Sequence, residues 1–338
     1  MLELRDLDSG LISQWDRFVY SMPGGTIFHT LKWLQILGKN QNLHVRYLGI
    51  FMGRELIGIL PLCLKNFFFI KIAGSPFVIE DTPYMGPIID RAQILALLPA
   101  LDMYLKKNGI SFLRMVSNQI YGVANRNPKY HFIEKYTHVL DITRSKDNLW
   151  KNLEGRCRTA IRKAQKSKIA IATVDDRNFV EKYYSVIEEI YYAQDMPCPN
   201  QKELYYDIWD SFVPHNVIFL SAEYHGEIIG GIIVVVDGKR AYYLNGASKH
   251  EFRSLSASNL LLWEAINIVK EEGIEQFDFV GANIPRLAKF KKSFGGQLVG
   301  HSLIERSSSQ WIKLLRNYYP HYRQKVGNLR QFFKQLSR

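Results

Sequence analysis

A chain of 338 residues, 47% hydrophobic and 13% aromatic, is long for one core and comfortable for two, and its composition excludes the disordered and fibrous classes. The longest apolar run, "IIGGIIVVV" at 228–236, falls far short of a membrane span. The net charge of +12 is concentrated: residues 144–168 hold nine Lys/Arg against Asp147 and Glu154, and 306–338 hold eight and no acid. Such clustering suggests sites for anions rather than general solubility, although a single segment of this kind would read as a solvated helical face.

Cys63, Cys157 and Cys198 are odd in number and widely spaced, and the nine His show no metal-ligand spacing. The expectation is a mechanism with no metal and no disulfide framework. The opening "MLELRDLDSG" is acidic and lacks an apolar segment, so a cytoplasmic protein is expected.

In chain order, "YLGIFMGRELIGILPLCLK" (47–65) predicts a strand, a turn at Gly53-Arg54 and a second strand. "LDMYLKKNGISFLRM" (101–115) predicts the end of an amphipathic helix, a Gly stop and a strand. From Leu149 the apolar positions Leu149, Leu153, Cys157, Ala160, Ile161 and Ala164 follow steps of three and four, which predicts one helix capped by Ser145 or Asp147. Lys151, Arg158, Arg162 and Lys166 form a basic stripe on it, with Arg156 and Lys163 on the opposite flank. "FLSAEYHGEIIGGIIVVVDG" (219–238) repeats the first hairpin 172 residues on, and "INIVKEEGIEQFDFV" (266–280) repeats the helix–Gly–strand unit, Gly273 answering Gly109 at an offset of 164. Similar offsets argue for two copies of one domain. The expected class is α/β: two tandem domains at 1–140 and 141–305, each a mixed, mostly antiparallel sheet flanked by helices, then a basic tail at 306–338. In that tail Trp311, Leu314, Leu315 and Tyr318 share a helical face, and the charge suits an anionic lipid surface or packing back on the fold.

"LAKFKKSFGG" (287–296) reads as a basic loop anchored by two aromatics. With "LWKNLEGRCRTAIRKAQKSKIAI", "YYLNGAS" and "LLWEAINIVKEEGIEQFDFVGA" in this order, and with "GTIFHTLKWLQIL" and "YMGPII" nearer the start, it resembles the Fem-type peptidyltransferases, which are double-GNAT enzymes. The likeness covers roughly residues 24–300. Leu287, Phe290, Lys291, Phe294 and Gly295 fall on one family pattern, and Arg158, Ile161, Arg162 and Ala164 on another.

The resemblance implies an acyltransferase without a resident cofactor. It would move an aminoacyl group from a charged tRNA onto an amine of a lipid- or nucleotide-linked muropeptide, both polyanions. Arg158, Arg162 and Lys163 would then hold phosphates, and Lys291 would be the main donor-side cation, beside Phe290. Tyr243, Asn245 and Ser248 would line the pocket on "AYYLNGAS", and Asp278 would be the carboxylate that acts as base or orients the amine, unless it only caps a loop. The alternative donor is acyl-CoA, as in relatives found with polysaccharide genes. "EFRSLSASNLLLW" (251–263) holds serines where a pyrophosphate-binding loop holds glycines, which counts against CoA. A non-catalytic nucleic-acid or membrane-surface protein is the reading from another class.

Overall fold

The structure, a computed structural model, describes residues 1–67, 70–78, 82–119, 129–196 and 198–314. The part of the expected basic tail from 315 onward lies outside the described residues. The chain begins with β1 (Leu2–Asp6), α1 (Ser9–Ile12), α2 (Trp15–Ser21), α3 (Leu31–Gln41), β2 (His44–Met52), β3 (Glu55–Phe67), β4 (Ile70–Ser75) and β5 (Ile88–Ile89). It continues through α4 (Ile94–Lys107), β6 (Ile110–Ser117), β7 (Tyr130–Asp141), α5 (Lys146–Asn152), α6 (Gly155–Lys166), β8 (Ala170–Thr173), α7 (Phe179–Tyr192) and α8 (Lys202–Phe212). Then come β9 (Val217–Tyr224), β10 (Glu227–Asp237), β11 (Arg240–Ser248), α9 (Ala257–Glu271), β12 (Gln276–Asp278), α10 (Pro285–Lys292) and β13 (Gln297–Ser307). Two compact units result: one holds residues 1–135 and 300–314, the other 136–299. The chain leaves the first inside β7 and returns to it inside β13.

In the first unit β1, β2, β3 and β4 pair antiparallel in turn, and β4 pairs parallel with β6. The returning strand β13 runs antiparallel to β6, from Ser302↔Ser117 to Ser307↔Phe112. Leu2, Leu4, Leu48, Ile50, Leu60 and Leu62 pack on Leu97, Leu101 and Leu105 of α4. Arg306 of β13 is anchored to that helix by Asp102, 2.6 Å away and almost fully buried.

The second unit repeats the order. Strands β8, β9, β10 and β11 are antiparallel in turn, β11 pairs parallel with β12, and β12 runs antiparallel to β7. On one face α6 and α9 bury Cys157, Ile161, Leu261 and Ile266 against Leu220, Val234 and Phe277. On the other, Tyr183 of α7 and Trp209 of α8 meet Phe219 edge-on or tilted. With both faces covered, β10 has no solvent side to mark, so its sequence reads as one apolar run instead of alternating.

Two local expectations are corrected. The helix expected to run on from Leu149 is broken: Leu153 and Glu154 are extended, so α5 and α6 are separate. Arg158 holds the break by donating to the carbonyls of Lys151 and Leu153, and Glu154 N–H donates to Ser293 O at 2.9 Å. The buried face is kept, since Leu149, Leu153, Cys157, Ile161 and Ala164 are all covered. The 287–296 segment, expected as a loop, is mostly helix: Pro285 sits in the first turn of α10, where its missing N–H costs nothing.

Candidate active site

The site of the second unit begins where two parallel strands part. Strands β11 and β12 are paired at Arg240↔Gln276, Ala241↔Phe277 and Tyr242↔Asp278 only. Beyond this point β11 carries a bulge: Val234 faces Tyr243 and Ile233 faces Asn245, so Leu244 has no opposite number. The extra residue turns the following side chains over. Tyr243 therefore packs on the α6–α9 side, and Ser248 lies on that side too, its Oγ 3.0 Å from Ser258 Oγ of α9. Asn245 points to the other face and accepts the Tyr183 hydroxyl at 2.6 Å. The structure thus brings Tyr243 and Ser248 to one face and takes Asn245 away from them.

After β12 the chain makes an uncommon turn. Val280 and Gly281 both have positive φ, +50° and +69°. Glycine takes this conformation freely, whereas a β-branched residue there is a strained outlier costing roughly 1–3 kcal/mol. Two side chains hold it. Asp278 Oδ1 accepts the Val280 N–H at 2.8 Å and the Thr137 hydroxyl at 2.6 Å. The Lys291 ammonium donates to the Val280 carbonyl and, at 3.0 Å, to that of Gly281. It also lies 5.7 Å from the centre of the Tyr243 ring. Lys291 is only 9% exposed, and burial brings its ammonium down to about 8, with the Asp278 charge acting against the shift. The same burial pushes the Tyr243 hydroxyl up to about 12.

Phe290 packs edge-on to Phe294, 5.4 Å between centres, and leans on the core beneath. Gly295 follows with φ +86°, and an added Cβ would lie 2.3 Å from the Asn152 amide, so this turn admits no side chain.

A surface cavity of about 610 Å³ lies beside this turn, lined by His138, Glu154, Arg156, Ala282, Ala288, Lys289, Lys292 and Leu298. Arg156, at the start of α6, pairs with Glu154 at 2.9 Å and donates to the Lys289 carbonyl at 2.9 Å. Lys289 and Lys292 are exposed and three residues apart on α10, which puts them on one face of the helix. The anchored Arg156 guanidinium and two exposed ammonium groups make a cationic recess suited to phosphate or carboxylate.

The arginines and the lysine expected to hold phosphate sit elsewhere. Arg158 closes the end of α5, Arg162 lies 5.4 Å over the Trp150 ring, and Lys163 is exposed on α6. None of the three lines the cavity. Arg156, Lys289, Lys292 and His138 do, and sequence reasoning had not singled them out as a group. The signal was present only as proximity to the "FKKSFGG" motif. Among the described residues no group of three His, Cys, Asp or Glu side chains is placed to hold a metal ion.

At the start of α9, Ser256 adopts the left-handed conformation (φ +62°) that glycine takes most readily. Its hydroxyl makes no capping bond to the helix.

Residues 151–292 match the family described as "Acetyltransferase (GNAT) domain". The chain has a tandem GNAT fold, and the matched acyltransferase-domain residues lie within the second unit. Among solved structures, FemX is similar at 15% identity, over 93% of this chain and 99% of that one, with a TM-score of 0.70. A tandem GNAT protein from the clavulanic acid biosynthesis pathway is similar at 14% identity, over 91% and 99%, with a TM-score of 0.54. The C-terminal domain of a putative lysylphosphatidylglycerol synthetase from Agrobacterium fabrum follows at 10%, over 90% and 94%, with a TM-score of 0.56. At these identities the likeness is one of fold. No curated protein matches the sequence.

Proposed function

We propose that this acyltransferase forms an amide on an amine of an anionic cell-envelope precursor of the muropeptide type, taking an aminoacyl group from a charged tRNA. The observation that carries the reading is the cationic cavity of Arg156, Lys289 and Lys292 beside the turn that follows β12. A large anion supplies the countercharge that this recess lacks, since Glu154 is the one acid in its lining. The sequence resemblance to Fem-type enzymes supports the donor and acceptor classes.

In this reading Lys291 acts by holding the Val280–Gly281 turn at the edge of the site, and Tyr243 supplies the wall beneath it. Asp278 fixes the same turn through its bonds to Val280 and Thr137. The N–H groups that follow the bulge on β11 are the candidates to receive the developing oxyanion. Trp311 and Leu314, both exposed, would add contact with an anionic membrane surface carrying a lipid-linked acceptor. Among the described residues no helix is long and apolar enough to cross a membrane.

One observation favours a second reading, an acyl-CoA donor. The left-handed Ser256 leads into the 15-residue α9 without a side-chain cap, leaving that helix N-terminus able to receive a phosphate. The test is transfer by purified protein, comparing tRNA charged with labelled amino acids against labelled acetyl-CoA, with nucleotide- and lipid-linked muropeptides as acceptors. Label is expected to pass from tRNA, and less so at high salt. Transfer from acetyl-CoA alone would install the second reading, and transfer from neither would sink both.

A further inference from the structure

The cavity contains one group that neither the sequence motifs nor the proposed function uses. His138 lies towards the C-terminal end of β7, facing Phe279 across the ladder, where Phe279 N–H donates to its carbonyl at 2.9 Å. Its ring is tucked under the Gly-Gly turn: an added Cβ at Gly296 would come within 3.2 Å of His138 Cβ. Nδ1 lies 3.3 Å from the Gly296 carbonyl oxygen, a group that can only accept, so Nδ1 carries the proton in the neutral ring. Nε2 is then the basic nitrogen. It has no partner among the described residues, and His138 is one of the residues that line the cavity.

We propose that His138 is the general base that takes the proton from the attacking amine. The proposal rests on the acyl-transfer reading above and assigns the proton acceptor within it.

The charges around the ring suit that task. Lys291 and Lys292 approach from α10, with Lys289 on the same helix; Arg156 and its partner Glu154 stand at the start of α6; Asp278 of β12 is opposite Val139. Burial lowers the imidazole below its ordinary value, and Lys292 and Lys291 push it the same way. The ring is therefore neutral at pH 7 and able to accept a proton. An amine entering as ammonium, with an ordinary value near ~10, first releases one proton to solvent, and the neutral amine must shed a second as it attacks. The same lysines and arginine disfavour the ammonium form and hold a carboxylate or phosphate attached near the amine.

The neutral amine nitrogen attacks the carbonyl carbon, and the N–H proton it sheds in doing so passes to Nε2. The C–N bond forms, the C–O bond of the ester (C–S of a thioester) breaks, and the imidazolium returns the proton to the leaving oxygen or sulfur. His138 thus ends each turnover as it began.

Two measurements test this. In the first, His138→Gln is expected to lower kcat on the order of 100-fold with KM changed little, and to abolish the acid limb of the kcat profile. His138→Ala is expected to lose as much and to regain part of it with added imidazole, which the cavity can admit. A His138→Gln enzyme that transfers like wild type, or that raises KM alone at every pH, would overturn the assignment. The second uses no substrate: nitrogen-15 NMR of the histidines, with His138 assigned by its loss in the Gln variant. The expected signal is an Nδ1–H tautomer titrating below pH 6.5. An Nε2–H tautomer, or a ring still charged at pH 7, would overturn the proposal even for a protein in which no donor supports transfer. Wild-type protein inactive with both donors yet showing the expected tautomer would instead count against the acyl-transfer reading.

Discussion

Lys291 and Lys292 are neighbours in sequence with opposite surroundings: one is sealed over Tyr243 and bonded to two carbonyls, the other is exposed at the cavity. On a helix adjacent residues point about 100° apart, so a run of lysines cannot serve a single purpose. Lys291→Met removes the ammonium from the Val280 and Gly281 carbonyls and is expected to cost about 1–3 kcal/mol of stability, whereas Lys292→Met stays within about 0.5 kcal/mol. Chemical denaturation of both variants measures the difference. The pH dependence has a definite sign. Lys291 in the folded protein releases its proton at about pH 8, while the unfolded chain keeps it to near the ordinary 10.5. Between those limits the unfolded state binds more protons, so wild-type stability rises with pH relative to Lys291→Met. A difference that is flat or falling across this window would show that the ammonium is not buried as described. The motif around Lys291 was legible in the sequence. What each lysine touches was not, because that depends on a helix where a loop was expected.

Elements were legible where periodicity is strong and illegible where one residue changes the phase. The hairpins appear as β2–β3 with a turn at Gly53-Arg54 and β9–β10 with a turn at His225-Gly226, and the helix–Gly–strand units appear as α4–β6 and α9–β12. The bulge at Leu244 left no mark in "AYYLNGAS", so a strict alternation put Asn245 beside Tyr243. The break before α6 was hidden because Leu153 and Cys157 keep helical spacing across it. Gly246 reports on the bulge directly: an added Cβ would lie 2.0 Å from the Tyr243 hydroxyl. Gly246→Ala is therefore expected to displace that ring and to cost about 1–3 kcal/mol. Gly155→Ala, which meets nothing within 4 Å in the first turn of α6, is expected to be neutral or slightly stabilising. Equal melting temperatures for the two variants would mean that Tyr243 is not held against Gly246.

For the whole molecule, the uneven distribution of the +12 charge was the first indication of an anionic substrate. Composition could not say which of the cations would meet it. Most side chains of the basic helix serve structure or solvent, and Arg156 is the one that joins α10 lysines at the cavity. If these cations hold the substrate's anion, acyl transfer in the second unit depends on Arg156, Lys289 and Lys292. Single-turnover transfer from the active donor tests it most directly. It compares wild type with Lys289→Glu/Lys292→Glu and with a control of equal charge change away from the cavity, Lys182→Glu/Lys239→Glu. The expected result is at least a tenfold loss, about 1.4 kcal/mol, in the cavity variant at unchanged melting temperature, with the control within about twofold of wild type. Equal rates for all three proteins, or equal losses in both variants, would contradict the claim.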